Sequence, residues 1–234
     1  RLVGSEMCIR DRRYVIPAFR ISDEALDKDV ALMERLGVEV KCGAPAPSVA
    51  KLKKMGYTHI LLATGAWQAG ELGIPGNVRG VIAWMKEMKQ QVKPCLEGHV
   101  VVVGAGNTAM DAARVAKRMG AASSTIVYRR TKKEMPADEH ELKLAIDEGV
   151  NLVELAAPVE PKDGRLICNQ MKLGEPDASG RRSPVATGET FEIPCDLVLS
   201  AIGEKVDAKL MAENGIEMGR KGPAFKTNIE NVWS

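Results

Sequence analysis

The sequence predicts an α/β fold built on a parallel sheet with an antiparallel insertion, and three observations predict it. The first is the run His99-Val100-Val101-Val102-Val103, which stops at Gly104 and leads into a helix rich in small residues. The second is the alternation beyond that helix: an apolar strand at Thr125–Tyr128, a helix over Ala137–Glu148 and another strand over Val150–Leu155. Strands alternating with helices in this way make βαβ units and a parallel sheet. The third is a change of pattern past Pro158. Leu166–Leu173 and Glu189–Ile193 read as strands separated by a turn-rich loop at Gly174–Gly180, with basic residues Arg181 and Arg182 after it. These are the antiparallel insertion.

Taken in order, the chain starts poorly. Residues 1–12 have no clear period, lack the apolar core of a signal peptide and resemble a translated adapter or assembly artefact. Tyr14–Arg20 reads as an extended segment with a proline stop. Ser22 then caps a helix with acids in its first turn. Leu26, Val30, Met33 and Leu36 recur at helical spacing, and Gly37 ends it. Val38–Val40 is predicted as a short strand, Pro45 and Pro47 mark a loop, and Val49–Met55 forms a helix closed by Gly56. Tyr57–Ala66 reads as a buried strand ending in Ala63-Thr64-Gly65, followed by a loop over Gly73–Gly80. A helix over Val81–Val92 is closed by Pro94. Leu142, Ala145 and Ile146 are expected to face inward from the Ala137–Glu148 helix. Asp196–Gly203 is a second buried strand ending in small residues, Ala201-Ile202-Gly203. Lys209–Asn214 is a brief helix, and Asn231–Ser234 resembles part of a strand. Two strands with the same small-x-Gly ending flank one βαβαβ unit. That arrangement predicts a domain inserted in another.

The turn after the valines carries chemistry. Gly104-Ala105-Gly106-Asn107-Thr108-Ala109 is a G-x-G-x-x-A pattern between an apolar strand and a helix, the context that distinguishes a dinucleotide-binding turn from an ordinary βα turn. Gly104 lets the chain reverse. Gly106 has no Cβ, so a pyrophosphate can approach the backbone. Ala109 is small enough for the helix to lie close to the strand. The main-chain N–H groups at Asn107 and Thr108 open the helix and offer donors and a positive dipole to phosphates. Asp111 lies one turn in, where the dipole also favours an acid. An acid at the end of the next strand would bond the ribose 2′-OH of NAD. This chain has Arg129 and Arg130 there, with Lys132 and Lys133 just after. A guanidinium pairs with a 2′-phosphate, so NADPH is predicted over NAD.

Composition excludes several other functions. The 234 residues carry a net charge of +2, which gives no basis for a nucleic-acid or membrane-surface partner. The five cysteines, at 8, 42, 95, 168 and 195, form no C-x-x-C. They suggest neither a zinc site nor a dithiol, and they fit a reducing, cytoplasmic compartment. His59, His99 and His140 do not cluster with acids or cysteines, so no metal site and no catalytic residue is expected.

These motifs resemble a known family. Tyr14-Val15-Ile16-Pro17 through Arg20, Leu62–Ala66, Gly104–Asp111, Val127–Arg130 with Glu134-Met135-Pro136-Ala137, and Ala201–Gly203 are similar to NADPH-oxidising flavoproteins related to the glutamate synthase small subunit and the flavin half of dihydropyrimidine dehydrogenase. Leu173–Asp177, Gly180–Arg182 and Ala201–Glu204 resemble more closely the selenate reductase subunit branch (YgfK type) of that family. The resemblance implies an FAD domain with an NADPH domain inserted in it. Residues 13–95 would be a partial FAD domain, 96–203 the NADPH domain and 204–234 the returning FAD segment. It also implies a central fragment, because the family's N-terminal FAD motif and C-terminal Gly-Asp lie outside the sequence. Ala63, Thr64, Gly65, Ala201, Ile202 and Gly203 would let backbone approach the flavin and nicotinamide rings. Arg129, Arg130 and Lys133 would hold the 2′-phosphate.

The resemblance implies that in an intact relative a hydride would pass from NADPH to FAD and electrons would go on to iron–sulfur centres in a partner domain or subunit. The competing expectation is a dinucleotide-binding module without turnover, its FAD site incomplete. A self-sufficient dehydrogenase is disfavoured, since no substrate domain with an acid or base is found.

Overall fold

The computed structural model describes residues 13–41, 47–93, 95–178, 180, 182–218 and 225–234. The expectations for residues 1–12, Pro45, Pro94 and Arg181 lie outside these.

The elements run α1 (Asp23–Arg35), α2 (Val49–Lys54), β1 (Ile60–Leu61), β2 (Ala66–Ala69), β3 (Val78–Gly80), α3 (Val81–Lys89), β4 (His99–Val103), α4 (Asn107–Arg118) and β5 (Ser123–Val127). A 3-10 turn at Lys132–Glu134 precedes α5 (Glu139–Asp147) and β6 (Asn151–Val153). Then come β7 (Ala156–Lys162), β8 (Arg165–Pro176), β9 (Arg182–Pro194), β10 (Leu197–Ser200), β11 (Glu204–Val206), α6 (Ala208–Glu213) and β12 (Val232–Trp233). Among the described residues, no helix is long and apolar enough to cross a membrane.

The chain divides into two compact units. Of the described residues, Arg13, Ala18–Gln68 and Glu204–Ser234 form the first, and Tyr14–Pro17 with Ala69–Gly203 form the second. The first division therefore falls at 68/69 rather than at 95/96. The reason is that β3 and α3 belong to the second unit: β3 is an outer strand of its sheet, and Val81, Trp84, Met85 and Met88 of α3 are buried in its core.

The second unit is a five-stranded sheet in the order β3-β10-β4-β5-β6, with every pairing parallel. Both faces are covered, which is why the valine run shows no alternation. Val100, Val102, Ile126 and Leu199 pack with Trp84, Met110, Ala113, Ala116 and Ala145 of the helices. Val101, Val103, Val127 and Val198 pack with Ala156, Leu166, Cys168, Ile193 and Cys195 around the antiparallel sheet β7-β8-β9. The unit thus has three layers: helices, parallel sheet, antiparallel sheet. Burial pushes the Cys168 thiol up to about 12 and the Cys195 thiol up to about 11. Both remain protonated at neutral pH and pack as small apolar groups.

In the first unit β1 pairs with β12 in parallel, Ile60 opposite Val232, and β2 pairs with β11. Its core is one cluster, Val49, Leu52, Ile60, Met211, Ile216 and Val232. Ser22 and Ser48 cap α1 and α2, each hydroxyl accepting a backbone N–H three residues on.

Several expectations are corrected. Tyr14–Arg20 is not extended: Tyr14 is helical and bends and turns follow it, with Val15 buried in the second unit's core. Val38–Val40 reduces to a single bridged residue, Val40. The strand expected over Tyr57–Ala66 is only two residues long, because its ladder with β12 covers only Ile60 and Leu61. The Gly73–Gly80 loop ends in β3, whose three residues pair with β10. Ile146, expected inward, is exposed, and of the helically spaced Leu26, Val30, Met33 and Leu36 only Leu26 is buried. The insertion has a further strand, β7, which Pro158 and Pro161 disguise. Both are tolerated because β7 is an edge strand with a bulge between Pro158 and Glu160. β8 also runs on through Gly174 to Pro176, with irregular register there.

Candidate nucleotide site

The second unit collects most of the residues singled out by sequence at the carboxyl ends of its parallel strands. Strand order reverses between β10 and β4, the switch point at which open α/β sheets bind ligands. Gly104-Ala105-Gly106 follows β4 and Ala201-Ile202-Gly203 follows β10. The Ala201 N–H donates to the Val103 carbonyl at 2.8 Å, so the two endings lie side by side.

The two glycines of the turn do different things. Gly104 has φ 137°, and a Cβ there would stand 2.2 Å from the Ala201 carbonyl oxygen. No other residue fits. Gly106 has an ordinary φ of −88°, and a Cβ there would meet nothing within 4 Å. Its bareness serves no neighbour among the described residues and leaves open space in front of the turn. α4 begins at Gly106 with no side-chain cap and no acid in its first turn. Ala109 is fully buried against the sheet.

The turn is held from above by the segment after β5. The Ala137 N–H donates to the Ala105 carbonyl at 3.1 Å, and the Asp138 N–H donates to Asn107 Oδ1 at the same distance. Asn107 therefore has a side-chain role that sequence reading missed. Met135 packs into the helical layer of the core, which accounts for the Met-Pro-Ala run.

Arg129 is exposed at the end of β5, while Arg130 is 9% exposed and its Nε has no hydrogen-bond partner. A buried guanidinium with an unmet donor is costly and suits an anionic ligand. Lys132 and Lys133 are exposed on the 3-10 turn. Thr131 and Glu134 form a capping box: the Thr131 N–H and Oγ1–H both donate to Glu134 Oε2, at 3.1 and 2.6 Å. Those bonds, chiefly the one from the Thr131 side chain and with the Arg130 charge adding to them, hold the Glu134 carboxyl below its usual range. The Tyr128 hydroxyl donates to the Glu134 carbonyl at 2.8 Å. The Lys132 N–H donates to Glu154, just past β6.

α4 is tied to α5 by charge. Arg114, on α4, donates to Glu148 at 2.7 Å and lies 3.6 Å from Glu141, and Arg118 also reaches Glu148, at 2.6 Å. Arg118 foremost, then Arg114, depresses the Glu148 carboxyl to about 2.

Gly70 is a second residue that sequence reading passed over. Its N–H donates to the Gly203 carbonyl at 2.9 Å, and its carbonyl accepts from the buried Ser200 hydroxyl at 2.8 Å. A Cβ on Gly70 would lie 2.7 Å from the Gly203 oxygen. Ala63, Thr64 and Gly65 lie in the other unit, past the end of β1, with Gly65 at φ 73°. Among the described residues, no group of histidines, cysteines and acids could hold a metal ion.

The pyridine nucleotide-disulphide oxidoreductase family matches residues 22–234. The chain belongs to that family. Relatives include the candidate oxidoreductase YgfK of Escherichia coli (strain K12), 38% identical over 216 residues that make up 90% of this chain and 21% of that protein. The NADP(+)-dependent formate dehydrogenase subunit beta of Moorella thermoacetica is 36% identical over 88% of this chain and 31% of its own length. The small chain of an NADPH glutamate synthase of Halomonas elongata is 32% identical over 94% of this chain and 53% of its own. The chain thus spans between a fifth and about half of these proteins. The resemblance read from the motifs is borne out. Among solved structures, Mycobacterium tuberculosis FprA in complex with NADPH shares the fold with a TM-score of 0.56 at 20% identity, over 67% of this chain and 52% of that one.

Proposed function

We propose that the second unit binds NADPH and that the protein containing this chain oxidises it with a flavin. The observation that carries the reading is the pairing of an open, Cβ-free turn at Gly106 with a buried Arg130, whose Nε has no hydrogen-bond partner, at the end of the next strand. Gly104–Gly106 and the N–H groups of Asn107 and Thr108 take the pyrophosphate, and Ala105 and Ala109 keep the turn tight. Arg129, Arg130 and Lys133 take the 2′-phosphate. Ala201, Ile202 and Gly203, beside Gly104, flank the nicotinamide end. The first unit, with Ala63, Thr64 and Gly65, contributes to an FAD site.

A bound FAD would supply the acceptor for the hydride of NADPH, with one proton taken up, and would pass the two electrons to iron–sulfur centres of an acceptor domain or subunit. The chain's own residues position and exclude water; no acid, base or nucleophile is asked of them. The names of the formate dehydrogenase and glutamate synthase relatives support the choice of NADPH.

Replacing Arg129 and Arg130 together with Ala is expected to weaken NADPH binding about a hundredfold and NADH binding less than threefold. Equal weakening of both removes the 2′-phosphate role. An absorption spectrum of the purified chain addresses the flavin. A flavin band supports an FAD site within it, and a colourless protein that binds NADPH reduces the reading to a dinucleotide-binding module.

A further inference from the structure

Beside the Arg129–Arg130 strand end lies a cleft of about 610 Å³, lined by Thr131, Lys132, Lys133, Glu134, Glu154, Leu173, Gly180 and Arg182. It draws on three places far apart in sequence: the 3-10 turn after β5, the residue after β6, and the far ends of β8 and β9. All belong to the second unit. The volume falls in the range of small-molecule pockets and exceeds what a lone phosphate needs.

Its position gives it a direction. The fingerprint turn closes β4 at the switch point. β5 and then β6 lie outward from it in the sheet. A dinucleotide whose pyrophosphate sits on the β4 turn places its adenosine over the ends of those outer strands. The cleft stands there.

Its charge gives it a ligand chemistry. Both carboxylates are engaged with the backbone: Glu134 accepts from Thr131, and Glu154 accepts from the Lys132 N–H. They fix the turn that carries the lysines. Among the described residues, Lys132, Lys133 and Arg182 make no ion pair, as Lys162 and Lys172 on the same antiparallel sheet make none, whereas Arg165 pairs with Glu192 at 3.5 Å. Three uncommitted cations around two occupied carboxylates suit a dianionic group attached to a larger body.

We propose that Arg182, brought from the antiparallel insertion to the cleft beside Lys132 and Lys133, reads the 2′-phosphate of the bound adenosine and makes the insertion part of the cofactor-selecting wall. This rests on the reading of the second unit as an NADPH site. It adds to that reading a residue about fifty positions from Arg129–Arg130, on a sheet otherwise engaged in covering the core. Arg182 is exposed and forms no core contact, so its loss does not threaten the fold.

The test is calorimetric titration of the 234-residue chain with adenosine 2′,5′-bisphosphate and with 5′-AMP. Arg182→Ala is expected to weaken the bisphosphate about tenfold and 5′-AMP less than twofold, and Arg182→Glu to weaken the bisphosphate further. Arg165→Ala, a cation at the other end of β8, should change neither. The proposal is overturned if Arg182→Ala leaves the bisphosphate within twofold of wild type while Arg129→Ala weakens it, or if Arg182→Ala weakens both nucleotides alike. A wild-type chain that does not prefer the bisphosphate over 5′-AMP overturns the NADPH reading itself, whatever the variants do.

Discussion

The fingerprint turn and the basic cleft stand at the ends of neighbouring strands, yet they are built by opposite means. The turn is made by exclusion. Gly104 has no room for a side chain, Ala109 has room for one carbon, and the strand beneath is buried on both faces. The cleft is made by addition. Long charged side chains from a 3-10 turn, a strand end and a distant hairpin converge on it, and two hydrogen-bonded carboxylates fix the turn. Steric exclusion tolerates almost no substitution. Charge placement tolerates many, each with a graded loss. Backbone recognition of a pyrophosphate and side-chain discrimination of a 2′-phosphate should therefore respond differently to mutation.

The largest expected effect belongs to the turn. Gly104→Ala places a Cβ 2.2 Å from a backbone carbonyl at a φ of 137°, and a loss of about 3–5 kcal/mol in urea-unfolding stability is expected. A loss below about 1 kcal/mol would show that the β4 and β10 ends separate freely. Gly106→Ala is the counterpart within the same turn. It has open space and ordinary backbone geometry, so stability should stay within about 1 kcal/mol of wild type. NADPH and NADH binding should both fall at least tenfold. Selective loss of NADPH alone in this variant would blur the division between the two regions.

The next effect concerns the link between α4, which starts at the turn, and α5, which comes after the cleft's 3-10 turn. Glu148→Gln should cost about 1–2 kcal/mol at pH 7, since it removes the charge of a carboxylate to which the nearly buried Arg114 donates. The depressed carboxyl sets the sign of the pH dependence. The stabilisation is fully present above the ordinary value of 4.5 and is lost as pH falls toward about 2, where wild type and variant should converge. A difference that persists unchanged at pH 2 would show that the pair contributes through packing rather than charge.

The same contrast explains how much was legible in the sequence. Exclusion leaves a local record: Val100–Val103, Gly104, Gly106 and Ala109 fall within ten positions, and each has one physical reason to be there. Arg129 and Arg130 were legible because their place after β5 is fixed by the βαβ unit. The roles of Glu154, Gly70 and Arg182 were not. Each depends on a partner that only the tertiary fold supplies: the Lys132 backbone, the Gly203 carbonyl and the lysines across the cleft. β7 was hidden because proline is a weak strand signal unless the strand is known to lie at an edge. The Ala63-Thr64-Gly65 and Ala201-Ile202-Gly203 endings looked equivalent in sequence. One follows a two-residue strand and the other a buried central strand, because only the second has ladders on both sides.

Calorimetric titration of the wild-type chain with NADPH and NADH under identical salt tests whether the open turn and the arginine-bearing strand end form one NADPH site. Binding of NADPH at least tenfold tighter than NADH is the expected result. Equal affinity, or no binding of either, would show that the two do not form such a site.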